Sequence, residues 1–81
     1  MTITIKFFAA LGDLIGASEI THECLPGTTA REVSTSLCGQ NALLCRYLSK
    51  VAYAVNEQFV PSDTELHDGD VLALIPPVSG G

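Results

Sequence analysis

The sequence has no tryptophan, one methionine and only four basic residues, Lys6, Arg31, Arg46 and Lys50, against nine acids. At a net charge of −5 it lacks the cationic surface that phosphate-driven nucleic-acid binding or attachment to anionic membranes requires, and a protein partner with a basic face suits it better. It also lacks any apolar run near the ~18 residues needed to span a bilayer. Met1-Thr2-Ile3-Thr4 opens without the charged start or the small-residue cleavage site of a signal peptide, so a cytoplasmic protein is expected. Cysteine is scarce. Cys24, Cys38 and Cys45 are odd in number and form no C-x-x-C pair, which argues against a disulfide framework, a zinc site or a dithiol redox motif. They are expected as reduced, mostly buried thiols acting as small apolar side chains. Gly39 and Asn41 disfavour the single continuous helix that would place Cys38 and Cys45 on one face. His22 and His67 have no partner at a motif spacing. The carboxylates of Asp63, Glu65, Asp68 and Asp70 lack the spacing of a calcium loop, so a solvated turn is expected there and no metal.

What is present is 47% hydrophobic residues in a chain of 81, enough for one domain with one small core and some apolar surplus on its surface. Thr2 to Phe7 alternates polar and apolar, a strand with Ile3, Ile5 and Phe7 inward and Phe8 outward. Ala9 to Gly16 is bounded by glycine and short, which reads as a turn with one helical bend. A second strand, about Ser18 to Cys24, makes a wide antiparallel hairpin with the first. Thr28 or Thr29 caps a helix running to about Cys38, with a capping box to Glu32 if Thr29 is the one used, with Ala30, Val33, Ser34, Leu37 and Cys38 on one stripe and Gly39 as a left-handed stop. A second helical turn from Ala42 to Leu48 offers Leu43, Leu44, Tyr47 and Leu48. Val51 to Val55 is a strand, Asn56-Glu57-Gln58 turns, and Phe59-Val60 begins a short edge strand ended by Pro61. Val71 to Ile75 is apolar on both parities, as a central strand or one face of an interface would be. This order predicts α+β architecture of the β-grasp type, one mixed sheet on one main helix, over residues 1–76.

The chain ends Pro76-Pro77-Val78-Ser79-Gly80-Gly81. Two prolines stop the last strand and fix the direction of exit. Two residues without Cβ lie extended in a channel too narrow for side chains and leave a terminal carboxylate open on both faces. From Pro77 to Gly81 the reach is about 17 Å at ~3.4 Å per residue, enough to enter another protein's active site. Residues 77–81 therefore read as a flexible functional tail, with the Gly81 carboxylate as the reacting group and Pro77, Val78, Ser79 and Gly80 as the threading segment. Strand parity turns Phe8 and Ile75 outward beside its root, and Phe59 on the edge strand is a third candidate for an apolar docking patch.

In the order Phe7-Phe8-Ala9, Val55-Asn56, Asp68-Gly69-Asp70 and Pro76-Pro77-Val78-Ser79-Gly80-Gly81, the chain resembles the molybdopterin synthase small-subunit family of ubiquitin-like sulfur carriers. Family members often carry a basic residue after Phe-Phe-Ala, where this chain has Ala10-Leu11-Gly12-Asp13. The resemblance implies a sulfur-donor subunit whose catalytic residues lie on a large subunit, in a heterotetramer with two of each. It further implies an adenylating activating enzyme that uses ATP and magnesium, conversion of Gly81 to a thiocarboxylate, and sulfur transfer to cyclic pyranopterin monophosphate. No cofactor is expected on this chain. A sulfur carrier for thiazole or tRNA thiolation, and a ubiquitin-like protein modifier, share the same tail and fold and remain open, as does an adaptor whose tail is inert.

Overall fold

Period-two alternation makes the first strand. In the computed structural model, which describes residues 1–39 and 42–77, β1 (Thr2–Phe7) buries Ile3, Ile5 and Phe7. It pairs antiparallel with β2 (Glu19–Glu23), Ile5 opposite Ile20. The connection between them is a helix, α1 (Ala10–Ile15), where the sequence suggested a turn with one bend. Six residues do not hold a helix alone. Here Leu11 is wholly buried, and left-handed Gly16 (φ 84°) closes the end by donating its N–H to the Gly12 carbonyl at 2.8 Å.

The capping box forms as expected. The Thr29 hydroxyl accepts from the Glu32 N–H at 3.2 Å, and the Glu32 carboxylate accepts from the Thr29 N–H at 2.9 Å. It opens α2 (Ala30–Cys38), which buries Ala30, Val33, Ser34 and Leu37. Gly39 differs from the expected left-handed stop: its φ of −66° is right-handed, so this end of α2 does not need glycine's freedom. A separate helix, α3 (Ala42–Leu48), then packs against α2 and α1, burying Leu44 and Leu48.

The two helices also correct the expectation of three free thiols. Cys38 and Cys45 form a disulfide, with Cα atoms 4.4 Å apart, while Cys24 is free and half-buried. The break after Cys38 weighs against one continuous helix, but it is also what lets a second helix fold back and bring Cys45 to the end of the first.

β3 (Ala52–Val55) turns through Asn56 and Glu57, both at positive φ (50° and 72°), into β4 (Gln58–Val60). Positive φ at both central residues gives the mirror-image turn that matches strand twist. The sheet order is β2-β1-β5-β3-β4, with β5 (Val71–Ile75) central, parallel to β1 and antiparallel to β3. Covered by strands on both sides, β5 buries Leu72 and Leu74 and half-buries Val71, Ala73 and Ile75, which explains its apolar run. This mixed sheet with its main helix is the α+β arrangement of the β-grasp type.

The acidic stretch before β5 is structural. Asp68 accepts from the Thr2 N–H at 2.8 Å, and Asp70 accepts from the His67 N–H at 2.8 Å and the Asn56 side-chain amide at 3.0 Å. The Asn56 side-chain oxygen in turn accepts from the Val71 N–H at 3.0 Å. One carboxamide thus joins the β3–β4 turn to the start of the central strand, which accounts for Asn56 and Asp70 together.

Candidate docking site at the root of the tail

Because β1 and β5 are adjacent and parallel, their C-terminal ends emerge side by side. Phe8 follows one and Pro76-Pro77 follow the other, with the Phe8 N–H reaching the Leu74 carbonyl at 3.5 Å. Ala9 (φ 53°) lies in the positive-φ region that favours glycine, at a cost of roughly 1–3 kcal/mol, and turns the chain from β1 into α1. This turn leaves Phe8 47% exposed.

Between these segments and α3 lies a groove of about 1090 Å³. Phe8, Ala9 and Ala10 form one side, and Ile75, Pro76 and Pro77 carry it to where the tail leaves. Leu43, Arg46, Tyr47 and Lys50 line the side contributed by α3 and the residues just after it. The groove is therefore apolar at its centre with two cations on one wall. Neither Arg46 nor Lys50 has a carboxylate within ion-pair distance among the described residues.

The fold brings Phe8 and Ile75 together, as parity suggested, with Pro77 of the threading segment on the same groove. Phe59 does not line this groove. It is 75% exposed on edge strand β4, in register with Ala54, which pairs with Ala73. Pairing along one row sets Phe59 on the outward sheet face that also carries Ile75, with small alanines between. Val78, Ser79, Gly80 and Gly81 lie outside the described residues.

The wall from α3 escaped sequence reasoning, although a signal was present. A seven-residue helix needs one apolar pair for the core, and Leu44 with Leu48 supplies it. Leu43 with Tyr47 is a second pair at i, i+4, and Arg46 with Lys50 has the same spacing. Two apolar pairs on so short a helix mark a second face with a use of its own.

The ThiS family matches residues 5–81. A molybdopterin synthase sulfur carrier subunit of Chlamydomonas reinhardtii is 32% identical over 83 aligned residues, covering all of both chains. Among solved structures, SAMP1 of Haloferax volcanii superposes with a TM-score of 0.83 at 25% identity, again over the whole of both chains. A chain in the complex of subunits 1 and 2 of the molybdopterin-converting factor of Helicobacter pylori superposes at 0.70 with 26% identity, covering all of both chains.

Proposed function

This chain belongs to the ThiS family, and on that premise we propose that it is a sulfur carrier, the small subunit of a molybdopterin synthase. The observation that carries the reading is that Pro76 and Pro77, which follow the central strand and lead to the tail, line an apolar groove. A partner that closes on the groove receives the tail in one direction, with its first bond angles already fixed by Pro76 and Pro77.

The Gly81 carboxylate attacks the α-phosphorus of ATP on an activating enzyme, which holds the magnesium, and pyrophosphate leaves. A hydrosulfide equivalent then displaces AMP from the acyl carbon, leaving a thiocarboxylate. As an anionic sulfur nucleophile at neutral pH, this group attacks where a carboxylate is too weak. On the large subunit the thiocarboxylate sulfur attacks a side-chain carbon of cyclic pyranopterin monophosphate and displaces an oxygen substituent, and water then cleaves the acyl–sulfur bond, returning the Gly81 carboxylate and leaving the sulfur on the substrate. Cys24, Cys38 and Cys45 take no part, and the chain itself supplies presentation rather than acid, base or metal chemistry.

Likeness to SAMP1, the small archaeal modifier protein 1 of Haloferax volcanii, favours one second reading, a modifier joined to lysines through the same activated end. Intact mass after incubation with the native activating system separates the two. Exchange of one oxygen for sulfur is expected for the carrier, and a protein-sized adduct for the modifier. Adding one residue beyond Gly81 should leave the fold unchanged and abolish sulfur loading, because the last buried core residue among those described is Leu74. Normal loading of an untrimmed extended chain would overturn the proposal.

A further inference from the structure

We infer that α3 is the recognition helix for the large subunit: Leu43 and Tyr47 receive an apolar anchor, and Arg46 and Lys50 pair with carboxylates of that subunit. The inference rests on the docking reading above and extends it to the chemistry of the partner's surface.

Three observations carry it. The first is continuity: Pro76 and Pro77 line the same groove as Arg46, Tyr47 and Lys50, so a protein that encloses the tail must close over α3. The second is exposure. Leu43 and Tyr47 remain 48% and 40% exposed while Leu44 and Leu48 fill the core. Arg46 lies in the last turn of α3 and Lys50 just beyond its end, and among the described residues no carboxylate lies within ion-pair distance of either. The third is charge. Arg46 and Lys50 are half of the basic residues in a chain of net charge −5, and of the other two Arg31 is engaged with the Ser62 hydroxyl at 2.7 Å.

Exposed leucines and lysines are ordinary singly. Here two apolar and two basic side chains, Leu43, Tyr47, Arg46 and Lys50, share one wall of the groove at the root of the tail. A partner that is basic toward most of this acidic molecule, yet acidic opposite α3, fits in one orientation only, because any other register sets like charges together. Orientation matters for a carrier whose tail must enter a channel end first.

The test uses the full chain and the purified large subunit, with affinity from calorimetry and association rates from stopped flow at two ionic strengths. Arg46→Gln with Lys50→Gln should weaken binding about tenfold, and the double change to Glu should weaken it further, the loss shrinking as salt rises. Leu43→Ser should weaken it without altering the salt dependence. Wild-type affinity for the double Glu variant, with Phe8→Ala still impaired, would overturn the role of α3 and leave groove docking standing. If Phe8→Ala and Ile75→Ala also bind as wild type, the docking reading falls as well.

Discussion

Ser34 shows how much one side chain can matter in a core this small. It is 5% exposed on the buried stripe of α2, and among the described residues its hydroxyl oxygen has no hydrogen-bond partner. Burying an unsatisfied hydroxyl costs roughly 1–3 kcal/mol. Ser34→Ala is therefore expected to stabilise the protein by about 1 kcal/mol, a rise in Tm of about 4–8 °C for a domain of this size. An unchanged or lower Tm would mean that water from the adjoining cavity of about 460 Å³ satisfies the hydroxyl. At this scale the sequence was legible wherever one periodicity decides a side. Ile3, Ile5 and Phe7 are inward, Phe8 and Ile75 line the groove, and Ser34 falls on the predicted stripe. It was illegible where a side chain's use depends on a distant neighbour. Nothing in the spacing of Arg46 and Lys50 says that β1 and β5 end beside them.

Short elements were harder to read than long ones for a related reason. α1 has six residues and α3 seven, so neither is secured by propensity, and tertiary contacts decide them: Leu11 for the first, Leu44 and Leu48 for the second. Capping chemistry, being local, identified the start of α2 correctly, whereas Gly39 shows that a glycine after a helix need not adopt the left-handed form. The Cys38–Cys45 bond was missed because it joins two helices whose relative placement no local pattern states. A short loop closed by this bond should contribute about 2.5 kcal/mol on loop-entropy grounds. Reduction by a small dithiol is then expected to lower Tm by about 10–20 °C, and the double change of Cys38 and Cys45 to Ser should reproduce the reduced protein. Native alkylation before reduction should modify Cys24 at most. If Tm is indifferent to reductant and three thiols react, the bond is absent in solution. Since α3 also provides a wall of the groove, affinity for the large subunit should be compared in the two redox states at the same temperature.

For the molecule as a whole, one geometric fact limits what it can do at once. Both central strands deliver their ends to a single edge, so the root of the tail, Phe8 and Ile75 share one groove. The carrier cycle proposed above needs two visitors to that edge, one to activate Gly81 and one to consume its sulfur. Each must thread the same tail, whose extended reach of about 17 Å leaves no slack for a second protein. The two partners are therefore expected to exclude one another, and a loaded carrier must leave the activating enzyme before it serves the synthase. Titrating large subunit into an ATP–pyrophosphate exchange assay of the activating enzyme should reduce the rate with a midpoint equal to the large subunit's Kd for this chain. A tail-deleted chain ending at Pro77 should still compete for the large subunit, though more weakly, because the groove remains. Undiminished exchange at saturating large subunit, or a ternary complex by size-exclusion chromatography with light scattering, would show that the two partners use separate surfaces.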